Sequence, residues 1–111
     1  MKKIDLGEMH LDIEPKTRLL CIHQGDNVMK VTMEQVTALK SIKSGENSNG
    51  TYASKLLPRN MFKKLPNGTI LAECKDQYNE SVILLNRIGC KCIFDYAESH
   101  RGRIARDMDF R

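Results

Sequence analysis

Residues 31–45 constrain the fold more than any other stretch, because this short segment carries the signals for both ends of one helix. Thr32 is an N-cap: its hydroxyl can accept a hydrogen bond from an orphan amide of the first turn. Gln35 falls at the reciprocal capping-box position, and Val31 and Val36 occupy the two positions of a hydrophobic staple. The helix is predicted to start at Met33 and to end before Gly45, which suits a left-handed cap. Val36, Leu39 and Ile42 form the stripe that faces the core, and Lys40 and Lys43 border it.

Strand signals precede this helix. Met9, Leu11 and Ile13 alternate with polar residues, and so do Ile4 and Leu6, with a slip of phase at Gly7-Glu8 that reads as a bulge or tight turn. The runs Arg18 to His23 and Asn27 to Val31 flank Gln24-Gly25-Asp26, a hairpin signal. After the helix, Ser44 to Thr51 has no apolar residue and is expected to be a surface loop. Pro58 suits the first turn of a short helix over Arg59 to Leu65, and Pro66-Asn67-Gly68 reads as a turn into a strand over Thr69 to Cys74.

Residues 77–88 contain Val82-Ile83-Leu84-Leu85 and end at Gly89. They are predicted to form a buried helix capped at its start by Asp76 and at its end by Gly89, with a central strand as the alternative. Cys90 to Asp95 is predicted to be a strand, so that residues 69–95 would make a parallel βαβ crossover. A last helix is expected from Glu98 to Arg111, with Ile104 and Met108 inward. With 111 residues the chain suffices for one core. The expected architecture is a small single α+β domain spanning residues 1–111, with a mixed β-sheet and three to four helices.

Charge carries the functional information. Residues 30–64 hold seven basic side chains against two acidic ones, whereas residues 1–29 hold four against five and residues 65–111 seven against seven. A one-sided block attracts a polyanion or an acidic protein face, because mixed charges would cancel within a Debye length. Lys40, Lys43, Lys55, Arg59, Lys63 and Lys64 are the candidate contacts, and Arg101 and Arg103 in the tail are candidates to join them. Lysines and arginines so placed would neutralise phosphates, which points to the backbone of RNA or DNA rather than to base reading. The alternative partner is an acidic protein surface, on which a small accessory inhibitor or regulator would dock.

No RNP-like aromatic pattern, zinc finger or KH loop is present. The segment Lys40 to Glu73 resembles the ASCH-type RNA-associated barrels in having Gly-Glu after a helix and a later turn into a strand. It lacks that family's Lys-Thr and Glu-x-Arg residues after Gly45, and no family is assigned on it.

A second alternative is a small enzyme using Cys74, Asp95 and His100 at the ends of two parallel strands, where ligands sit in open α/β sheets. Glu80 stands where a phosphate-cradling thiolate loop would carry arginine, and neither a phosphate loop nor a paired-carboxylate signature occurs elsewhere. No cofactor is therefore implied. Cys21, Cys74, Cys90 and Cys92 lack the paired spacings of structural zinc sites, so reduced thiols and no metal are expected. His10 and His23 fall in predicted strands and read as structural histidines. The amino terminus puts acids where a secretory signal needs an apolar stretch, and no apolar run approaches the roughly 20 residues of a membrane span, which together suggest a cytoplasmic protein.

Overall fold

The computed structural model describes residues 9–45, 51–53, 60–75 and 80–110. Lys55, Arg59, the phase slip at Gly7-Glu8, most of the polar loop after Gly45, and Asp76 lie outside the described residues.

Two antiparallel sheets and two α-helices make up the described chain. The first sheet has the order β1 (Met9–Ile13), β2 (Leu20–Gln24), β3 (Asn27–Val31); the second has the order β4 (Thr51–Ala53), β5 (Asn60–Lys64), β6 (Ile70–Lys75), β7 (Glu80–Leu85). Helix α1 (Met33–Ser44) follows the first sheet, α2 (Arg87–Ser99) follows the second, and a short 3-10 turn closes the chain at Asp107–Phe110. Both sheets are meanders of neighbouring antiparallel strands.

The hairpin and the helix at Thr32 stand where the sequence puts them. Gln24 pairs with Asn27 across a turn in which Gly25 takes φ 60°, a conformation that costs glycine little. Thr32 accepts from the Gln35 amide at 3.3 Å while the Gln35 side chain accepts from the Thr32 amide at 3.2 Å, and Gly45 ends the helix at φ 84°. The Thr32 hydroxyl also donates to Asp107 at 2.6 Å, tying the 3-10 turn to the start of α1. Thr32→Ala is therefore expected to lower stability by about 1–2 kcal/mol, read as a shift in the denaturant midpoint, and Thr32→Ser should recover most of it. An unchanged midpoint would remove the cap from the account.

Several expectations are corrected. Among the described residues the sheets are purely antiparallel, and two α-helices with one 3-10 turn stand in place of the mixed sheet and three to four helices. Residues 60–64 form a strand, because Phe62 enters the core while Met61 and Lys63 face out, a period of two that pairs with β6 across the Pro66-Asn67-Gly68 turn. The run Val82 to Leu85 is also a strand: Ile83 and Leu85 are fully buried, and Val82 and Leu84 are partly covered on the other face.

Residues 90–95 belong to α2, whose buried residues Cys90, Ile93 and Ala97 recur at helical spacing. Cys90 and Cys92 thus point in different directions, one buried and one exposed. Gly89 is not a helix stop but sits in the first turn of α2, where its amide donates to the N-cap side chain of Asn86 at 2.8 Å. The expected βαβ crossover is a β6–β7 hairpin followed by α2. No helix spans residues 98–111; Ile104 and Ala105 are buried in an irregular segment, and Met108 is 64% exposed rather than inward.

The core is one cluster fed by both sheets and both helices. Leu20, Ile22, Met29 and Val31 come from the first sheet, Phe62, Ile70, Ala72, Ile83 and Leu85 from the second, and Val36, Leu39, Ile42, Cys90, Ile93 and Ala97 from the helices. The two sheets are stitched by side-chain amides that imitate strand backbone. Gln24 donates to the Leu84 carbonyl at 2.9 Å and accepts from the Leu84 amide at 3.0 Å. Asn60 donates to the Lys30 carbonyl at 2.7 Å and to the Gln35 side-chain oxygen at 2.6 Å. Among the described residues no helix is long and apolar enough to cross a membrane.

Candidate functional site

The basic residues of the central block separate into distinct places once the chain folds. Lys40 is exposed on the flank of α1, and Lys43 lies one turn further on, so the two are neighbours on the helix surface. The Lys43 ammonium donates to the Gly68 carbonyl at 3.3 Å, which brings the β5–β6 turn against the end of α1. Lys64 reaches the same place from β5 and donates to the Lys43 carbonyl at 3.4 Å. Both contacts put cations at the negative end of the helix dipole, where they help to hold the helix terminus. Lys40 has no such contact among the described residues.

Strand alternation sends Lys63 to the other face of the second sheet. It pairs with Leu71 beside exposed Met61, whereas Lys64 pairs with Ile70 on the helix side. Arg101 and Arg103 are exposed in the turn after α2. That turn leads into Ala105, whose carbonyl accepts from the Met33 amide at 2.9 Å, so the two arginines lie toward the start of α1. The 12 residues of α1 span about 18 Å, which separates them from Lys43 and Lys64 at its far end. The structure thus brings Lys64 to Lys43 at the end of α1, with Lys40 one turn back on the helix, and it parts Lys63, Arg101 and Arg103 from them.

The six ion pairs among the described residues all lie elsewhere: Arg18 with Asp109, His23 with Asp12, Lys30 with Glu14, Lys91 with Asp95, Arg101 with Glu98 and Arg106 with Glu34. No described acid neutralises Lys40, Lys43 or Lys64. The turn that meets Lys43 also borders a cleft of about 440 Å³, lined among others by Leu65, Asn67, Thr69, Asn86 and Ile88. Ile88 is 74% exposed at its rim.

The cysteine, aspartate and histidine of the enzyme alternative do not converge. Cys74 is in an antiparallel strand on the inner face of the second sheet, opposite Asn60 and Ser81. Asp95 is exposed on α2 and bonded to Lys91 at 2.9 Å, and the His100 ring bonds to the Tyr96 carbonyl at 2.9 Å and stacks on the Tyr96 ring. Asp95 and His100 share a shallow depression with His10 and Cys92, and Cys74 is not among its lining residues. The parallel strand ends on which that reading rested are absent among the described residues.

One grouping was invisible along the chain. His10 and His23 are directly opposite each other in the β1–β2 ladder, with rings stacked at 4.2 Å between centroids and 4° between planes. Asp12, two residues from His10 on the same strand face, lies 3.2 Å from the His23 ring nitrogen. Cys21 faces Asp12 in the same register. Burial pushes its thiol up to about 11, helped by the Asp12 and Glu14 carboxylates, so it stays protonated at neutral pH. Beside it, the Lys30 ammonium and then the Thr17 hydroxyl hold Glu14 below the usual carboxylate range.

Comparison with protein-family models, with curated proteins and with solved structures finds no match for this chain.

Proposed function

We propose that the protein is a small binding module that engages the phosphate backbone of a nucleic acid at the carboxyl-terminal end of α1. The observation that carries this reading is the meeting of Lys43 and Lys64 at the end of α1, with Lys40 one turn back on the same helix and no described acidic side chain paired to any of them. Phosphates approaching there would meet three ammonium groups from two elements and displace condensed counterions, which makes binding favourable and salt-dependent. The cleft beside the β5–β6 turn continues the surface toward Asn86 and Ile88 at the start of α2. Side chains fixed on a helix and a strand suit backbone contact rather than sequence reading, because nothing in this group presents a planar fork to base edges.

Fluorescence anisotropy with labelled single-stranded RNA, single-stranded DNA and duplex DNA at two salt concentrations tests the proposal. Binding to at least one of the three, weakening with salt and nearly independent of sequence, is the expected result. No binding at physiological salt would overturn it and favour the acidic-protein partner.

A further inference from the structure

We propose that His10, Asp12 and His23 form a site for one divalent transition ion of the zinc class on the outer face of the first sheet. The three side chains come from adjacent antiparallel strands, and their candidate ligand atoms all lie within 4.8 Å of one another. Cross-strand pairing makes this arrangement: His10 and Asp12 alternate onto one face of β1, and the ladder sets His23 directly opposite His10. Two imidazoles and one carboxylate are the ligand set that leaves coordination positions open to water or a further ligand. Imidazole nitrogen selects zinc, nickel, cobalt or copper over magnesium and calcium, which prefer oxygen.

The present hydrogen bonds leave donors to spare. Of the four ring nitrogens, the Nε2 of His23 is bonded to Asp12, and the His10 ring has no hydrogen-bond partner among the described residues. Parallel rings cannot both point their lone pairs at one ion, so binding requires rotation of a ring. His10 is exposed, and the ligand atoms, no more than 4.8 Å apart, are close to the roughly 3.4 Å separation implied by tetrahedral bonds of about 2.1 Å. An ion there would clip β1, an edge strand, to β2.

Zinc chloride titrated into the full chain, followed by calorimetry and native mass spectrometry, tests the site. One ion per chain is expected, with His10→Ala and His23→Ala each weakening it at least about tenfold, Asp12→Asn weakening it less, and His100→Ala leaving it unchanged. All four positions are at the surface or in solvent contact, and circular dichroism of each variant checks that it folds. Cobalt(II) as the probe should give no thiolate charge-transfer band. Binding undiminished in the double variant His10→Ala/His23→Ala, binding only at millimolar zinc, or a thiolate band that disappears in Cys21→Ser would each overturn the assignment.

Discussion

Replacement of Gln35 by alanine should destabilise the protein by about 3–4 kcal/mol, the largest loss expected from any single polar side chain here. Gln35 is 0% exposed and Asn60 2%, so neither can turn to water when a partner is removed. The Gln35 side-chain oxygen accepts from the Thr32 amide and from the Asn60 amide, and Asn60 in turn holds the Lys30 carbonyl. The Gln35–Asn60 pair therefore joins the end of β3, the start of α1 and the start of β5. Truncation to alanine removes half of the capping box, leaves a void and strands buried donors; the last effect alone costs about 1–3 kcal/mol. Gln35→Met separates the terms, since it keeps the volume and deletes the side-chain amide, acceptor oxygen and donor nitrogen together. It should still lose about 2 kcal/mol, read from the urea midpoint at constant slope. Stability equal to the parent in Gln35→Met would show that the amide is packing and nothing more.

The same network shows where sequence reasoning succeeds and where it stops. The capping box is local: Thr32 and Gln35 are three residues apart, and the helix they begin is where the sequence puts it. That Gln35 also serves Asn60 is set by tertiary pairing 25 residues away and leaves no trace in spacing. The second half of the chain misled for a related reason. Val82 to Leu85 is apolar at every position, and such a run fits a buried helix or a strand covered on both faces; antiparallel pairing with β6, in which Ile83 faces Ala72 and Leu85 faces Ile70, decides it. Once β7 takes that run, Asn86 becomes an N-cap and Gly89, read as a helix stop, falls inside the next helix. The error then propagated to Cys90 and to the Cys74, Asp95 and His100 grouping, which depended on parallel strand ends.

The candidate sites divide in the same way. That residues 30–64 are basic is legible from composition, and Lys40 and Lys43 are adjacent because helical spacing makes them so. The arrival of Lys64 beside them, and the departure of Lys63, follow from a strand where the sequence suggests a helix; on a helix both would share a face with Arg59. The His10, Asp12 and His23 group depends on the β1–β2 register, in which residues 13 apart become opposite neighbours. Zinc-site reasoning from the cysteines looked along the chain, whereas these ligands meet across it.

Charge reversal within the basic group tests the central claim most directly. Lys40→Glu/Lys64→Glu takes the formal net charge of +4 to 0, and so does Lys16→Glu/Lys91→Glu, both of whose positions are exposed and distant in sequence from the block. Reversal at Lys64 also sets a carboxylate against the carbonyls at the end of α1, a cost to folding that thermal melts will register separately from binding. If Lys40 and Lys64 touch phosphates, the first pair should lower nucleic-acid affinity by at least about tenfold and reduce the slope of log affinity against log salt by about 0.7–0.9 per lost contact. The second pair should leave the slope unchanged, and Lys63→Glu alone should do less than Lys64→Glu. The decisive measurement is that slope, taken by anisotropy across a salt series for the parent and the two double variants. A slope that falls only in Lys40→Glu/Lys64→Glu is the predicted result; equal falls in both would show that net charge acts without a localised site, and would contradict the account.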